Sequence, residues 1–192
     1  MRLAQWWLPC ALAIAGAPAV CAADDSEIVV HVEQRGRTIV VDVSMPVEAT
    51  PVEAWQVMTD YDHMAKFVSN LDESKVLSRT GDTLTVFQKG TATRGPLTFS
   101  FENVREIVLT PYREIRSRMI SGDLESSQFT TRVVEADGAT RITNHGEFVP
   151  KIWVPPVIGP SLIAAETRRQ FGQLRAEILR RKALSVAPRP PA

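Results

Sequence analysis

Residues 47–77, VEATPVEAWQVMTDYDHMAKFVSNLDESKVL, hold the change of period that decides the fold. Val52, Trp55, Val57 and Met58 cluster at helical spacing, Thr50 or Pro51 is placed to open a helix, and Met64, Phe67 and Val68 continue an apolar face. Between them, TDYDH sets two carboxylates, Asp60 and Asp62, around Tyr61 and just before His63, in a chain with three histidines. The spacing predicts two short helices with a corner at residues 60–62. In this reading Asp60 ends one helix and Asp62 caps the next, because a carboxylate oxygen satisfies free backbone N–H groups. A metal centre would need three or four converging ligands. No HxxxH, HExxH or DxDxD pattern accompanies the corner, so no metal is expected.

Upstream, IVVHVEQRGRTIVVDVSMPV (28–47) has two β-branched runs around Gly36, which fits a hairpin or one long bent strand. Downstream, six strand-like segments (73–80, 83–92, 97–109, 113–121, 124–135 and 139–149) are separated by turn residues at nearly hairpin spacing, which implies one antiparallel sheet. Leu97, Phe99 and Phe101 share one face, and Phe129, Thr131 and Val133 alternate with Thr130 and Arg132. PKIWVPPVIGP (150–160) is too rich in proline for a central strand or a helix interior. It leads to SLIAAETRRQFGQLRAEILRRKA (161–183), where Ser161 is placed to cap a long helix. Ile163, Thr167, Phe171, Leu174 and Ile178 make one face of that helix, and arginines take the other sides. The last residues, 184–192, carry three prolines and no apolar period, and are expected to be disordered.

At the other end, Arg2 precedes the largely apolar run Trp6–Val20, after which small residues give way to acids at CAADDSE. The run is shorter than the ~20 apolar residues a bilayer span needs, and Pro9 and Pro18 interrupt it. It reads as a secretory signal over residues 1–23, cleaved near Ala22 or Ala23, which makes the mature chain periplasmic or secreted. Cleavage there removes Cys10 and Cys21, the only cysteines, so no disulfide is expected. Lipidation of Cys21 is disfavoured by Pro18 at the position where such signals carry leucine. Twenty-two basic residues balance twenty-two acidic ones, which argues against nucleic acid as a partner. No P-loop, dinucleotide glycine pattern or GxSxG elbow occurs, so neither a cofactor nor a serine nucleophile is indicated.

A strand, two short helices, a run of antiparallel strands and one long C-terminal helix is an α+β order. Residues 47–77 resemble the opening of the SRPBCC superfamily, the START-like (Bet v 1-like) helix-grip fold, and especially its polyketide cyclase/dehydrase and coenzyme Q-binding group. GEFVPKIWVPP (146–156) is similar to the proline-containing link that many members place before their last helix. The resemblance covers roughly residues 37–183. It implies a curved antiparallel sheet wrapped around the C-terminal helix, with two short helices after the first strand, in one domain over residues 24–183. It also implies a deep, largely apolar cavity between sheet and helix for lipids, isoprenoids, polyketides or other hydrophobic molecules. Carriers, enzymes and receptors share this fold.

Within that arrangement the cavity wall is expected from Trp55, Phe87, Phe99, Phe101, Phe129 and Phe171, with Ile163 and Thr167 on the helix side. Each aromatic taken alone is equally well explained as core. For a ligand's polar end the candidates are Gln88, Asn144 and Arg116, the last from REIRSRM; outward arginines pairing with Glu102 or Glu114 are the plainer alternative. If Ile142 points inward, so do Asn144 and Gly146, and His145 and Glu147 face solvent. No catalytic residue is assigned. The apolar stretch 152–162 is a candidate gate or transient membrane-surface contact, or it packs on the sheet edge. The first expectation is an exported, monomeric binder of a lipid or quinone-like molecule. The alternatives are a cyclase or dehydratase acting in the same cavity, which needs an ionisable group inside with a shifted pKa, and a ligand-free envelope module with a filled core.

Overall fold

A computed structural model of the protein describes residues 27–94, 97–136, 139–156 and 158–186. The order is β1 (Val29–Arg35), β2 (Thr38–Val47), α1 (Pro51–Met58), a 3-10 helix (Tyr61–Lys66), β3 (Leu71–Thr80), β4 (Thr83–Arg94), β5 (Leu97–Thr110), β6 (Glu114–Gly122), β7 (Leu124–Ala136), β8 (Ala139–Pro150) and α2 (Gly159–Val186). The six downstream strands form a meander, and β2 pairs with β8, giving one antiparallel sheet in the order β1-β2-β8-β7-β6-β5-β4-β3. The proposed signal segment, residues 1–23, lies outside the described residues.

The first β run is a hairpin and not a bent strand, because Gly36 takes φ 63° in a tight connection between Arg35 and Thr38. The short helices therefore follow the second strand. Thr50 and Glu53 form a reciprocal capping box, with Pro51 in the first turn, which fixes where α1 starts. The corner at 60–62 carries a different chemistry from the caps expected there. Asp60 makes no capping bond; its oxygens accept from His63 Nδ1 and from Arg181 Nη2 of α2, both at 2.7 Å. Asp62 accepts the backbone N–H of Val76 at 2.8 Å, tying the 3-10 helix to β3. α2 begins at Gly159, two residues before Ser161, and continues through Val186, past the boundary expected at 183; residues 187–192 lie outside the described part.

The position of α2 creates the cavity. From Phe171 onward α2 buries Phe171, Leu174 and Ile178 in the core with Ile39, Met45, Val57 and Ile142, and each such side chain contributes about 1.5–3 kcal/mol by leaving water. The helix packs on α1, β1 and β2. Residues Leu162–Gln170 of its N-terminal half are only half-buried, because the far side of the curved sheet does not reach them. The space between is lined rather than filled.

Candidate ligand cavity

The space holds a cavity of about 530 Å³, within the ~300–1,000 Å³ usual for small-molecule sites. Its walls come from α1 and the 3-10 helix (Met58, Tyr61, Met64), from β2 (Val41), from the meander and from α2 (Leu162, Ile163, Thr167, Phe171, Leu174). Strand pairing explains the floor. Ile107, Ser117, Phe129, Gly146 and Val41 are successive register partners across β5, β6, β7, β8 and β2, so they share one row, and all but Gly146 line the cavity. Gly146 is what seats Phe129: a Cβ there would stand 1.8 Å from Phe129 Cδ1. Gly90 does the same for the neighbouring wall, since its Cβ would meet the Asn70 carbonyl oxygen at 2.0 Å and Phe101 Cζ at 2.7 Å.

Seven of the residues read from the sequence line this space: Gln88, Phe101, Phe129, Asn144, Ile163, Thr167 and Phe171. Trp55 does not; it is buried in the core, with its ring 5.8 Å from that of Tyr112. Phe87 sits between the inward Val86 and Gln88 and therefore points to the opposite face, since neighbours on a strand cannot share one. Phe99 lies on β5 with its side chain outside the described part. Arg116 is flanked by the inward Ile115 and Ser117, so its exposed side chain pairs outward with Glu114 at 3.2 Å. Ile142, Asn144 and Gly146 point inward, and His145 is exposed against Asp42 at 2.7 Å.

The polar groups are few. Asn144 Oδ1 accepts from Thr131 Oγ1 at 2.8 Å, which leaves its NH2 group for the cavity that the residue lines. Gln88 Nε2 donates to Ser74 Oγ at 3.3 Å. Asn70 Oδ1, Ser117 Oγ and Arg105 Nε are buried without a hydrogen-bond partner. Glu166 is the lining carboxylate, and Arg169 holds it through two contacts of 2.6 and 3.1 Å.

The lining also holds residues that the sequence reading did not name as cavity contacts, Arg105 and Glu166 among them, and Tyr61, which it placed only as packing inward or at the rim. Phe101, Arg105 and Ile107 have the same parity along β5, so extending the alternation of LTFSF inward reaches Arg105 four residues later. Burial pulls its guanidinium below the usual arginine range, and the group is still a cation at neutral pH. The Phe129 ring lies 5.1 Å from its Cζ. Burial pushes the Tyr61 phenol upward, while the charge of Arg105 draws it the other way. A phenol displaced upward stays neutral and is poorly matched to proton transfer near pH 7. Among the described residues no group of three or more His, Cys, Asp or Glu side chains converges as a metal site would require.

The model of the family described as polyketide cyclase / dehydrase and lipid transport matches residues 38–179, from β2 through most of α2. The chain belongs to this family. Among solved structures, it is similar to the Zhui aromatase/cyclase of a Streptomyces species (15% identity over 79% of this chain and 99% of that one, TM-score 0.66). A START superfamily protein from Mycobacterium smegmatis matches with 13% identity over 73% and 97% of the two chains and a TM-score of 0.63. A STAR-related lipid transfer protein from Xanthomonas axonopodis gives 9% identity, 80% and 99% coverage and a TM-score of 0.61. At these identities the likeness shows the helix-grip fold that this family member shares with them. No curated protein matches the sequence.

Proposed function

We propose that the protein binds a hydrophobic small molecule, a lipid or an isoprenoid of quinone-like build, in the cavity between the sheet and α2. The observation that carries this reading is the cavity itself, about 530 Å³, partly open to solvent and walled mainly by apolar side chains from every layer of the fold. A filled core would have been the mark of a ligand-free module. The cyclase-type alternative rests on Tyr61, the ionisable side chain beside Arg105, and its upward displacement favours holding a ligand over moving its protons.

Export follows from Trp6–Val20 and the acidic switch after Ala23, with the mature protein acting as a monomer in the periplasm or outside the cell. Ile152 and Trp153, 61% and 77% exposed, and the half-exposed Ile158 stand just before the cavity-lining Leu162 and Ile163, which supports transient contact with a membrane surface where an apolar ligand would enter or leave. Native mass spectrometry with lipid extraction, on protein purified from its own compartment, tests the reading. A reproducible co-purifying apolar molecule supports it, and protein that is ligand-free and takes up no apolar probe sinks it.

A further inference from the structure

Resting on that reading, we infer that the ligand is an apolar molecule ending in a single anionic group, a carboxylate or phosphate, which Arg105 receives inside the cavity with Tyr61 beside it. A buried charge is ordinarily paired, since an isolated ion away from water is strongly disfavoured. Arg105 breaks that rule: its Nε is buried without a partner, and no ion pair or hydrogen bond to it forms among the described residues. The other charged lining residue, Glu166, is taken by Arg169. Arg105 is not wholly buried, and it lines the cavity. The Phe129 ring compensates the cation from one side only, which leaves the planar fork of donors for an anion.

The neighbours agree in sign. Tyr61 also lines the cavity, carries an O–H donor, and interacts electrostatically with Arg105. Elsewhere on the lining the NH2 of Asn144 is also a donor, because its oxygen is already engaged by Thr131. The lining also holds an unpartnered acceptor, Asn70 Oδ1, so it is the unpaired cation, in a cavity whose carboxylate is already taken, that favours an anionic head group over a cationic one. The outward Arg113, Arg116 and Arg118 take no part.

The test uses two probes with one aromatic body: 1-anilinonaphthalene-8-sulfonate, which carries an anion, and N-phenyl-1-naphthylamine, which does not. Fluorescence titration of the delipidated protein should show the sulfonate bound at least tenfold more tightly. Arg105→Met should weaken the sulfonate at least tenfold and the neutral probe less than threefold, with the melting temperature unchanged or raised, because an unpaired buried cation has gone. Tyr61→Phe should weaken only the sulfonate, by a smaller factor. Should the Met variant not fold, Arg105→Gln carries the same test. Competition by tetradecanoate, tetradecyl phosphate and methyl tetradecanoate then separates carboxylate from phosphate, with the ester as the uncharged control. Equal affinities of the two probes for the wild type, or equal loss of both in the Arg105 variant, would overturn the inference while leaving apolar binding intact. Failure of both probes to bind the wild type would remove the binding reading and the inference with it.

Discussion

Gly146→Ala tests how the cavity is held open. Gly146 does not take a positive φ, so alanine suits the backbone, and the loss of unfolded-state freedom alone would stabilise by about 0.4–1 kcal/mol. Packing reverses that sign. The new Cβ would lie 1.8 Å from Phe129 Cδ1 and 2.6 Å from Cγ, and ordinary contact begins at 3.4 Å. The ring must therefore retreat by about 1.6 Å, and because Cγ is involved, turning the ring about its own axis cannot relieve the clash; χ1 has to change. Overpacking of this kind costs about 1–3 kcal/mol, which leaves a net between about zero and a loss of about 2.6 kcal/mol, with about 1–2 kcal/mol in the middle of that range. For a domain of this size that lowers the melting temperature by roughly 2–8 °C. The displaced ring also leaves Arg105 without its aromatic face, so binding of 1-anilinonaphthalene-8-sulfonate should weaken several-fold. Thermal denaturation and probe titration of Gly146→Ala, Phe129→Ala and the double variant read both effects. In the Phe129→Ala background the alanine at 146 should cost nothing. A penalty of the same size in both backgrounds would refute the reasoning.

Glu177 gives a pH prediction. Hydrogen bonds from Arg180, and then Arg181, hold its carboxyl down to about 2 from 4.5, against the upward pull of burial. A folded-state pKa below the unfolded one means stability that is present above 4.5 and lost as pH falls toward about 2. Glu177→Gln should therefore cost about 1–3 kcal/mol near neutral pH, and the difference from wild type should vanish in urea titrations run at progressively lower pH. Thr50→Ala, which removes the capping box of α1, should cost about 1 kcal/mol in the same assay. Arg116→Ala should leave probe binding within twofold of wild type and stability within ~1 kcal/mol, because its partner Glu114 is an exposed-face one; a large loss of binding would put Arg116 inside after all.

Much of the fold is local and so was legible in advance. The glycine turn of β1–β2, the Thr50-x-x-Glu53 box, the hairpin spacing of β3–β8 and the amphipathic face of α2 each depend on residues a few positions apart. The same alternation placed Asn144 inward and His145 outward once Ile142 was taken as core. Where it was not applied to the end, the reading went astray. Phe87 and Gln88 are adjacent, and only one of them can face the cavity. Arg116 was a candidate for inward orientation beside two neighbours that do point inward, while Arg105 lay unread on the strand whose alternation had been recognised.

The remainder was decided by contacts distant in sequence. Asp60 and Asp62 carry the composition of caps, and nothing nearby in the chain announces that one would meet Arg181 and the other the backbone of Val76. The cavity is likewise a property of how α2 leans on α1, β1 and β2 and stands off from the rest of the sheet. By itself, the sequence determined the elements and their order, because propensity, capping and period act within a turn or a strand. Only the tertiary structure decided that a cation without a counter-ion among the described residues faces the cavity, because pairing is a relation between strands and helices that the chain brings together only on folding.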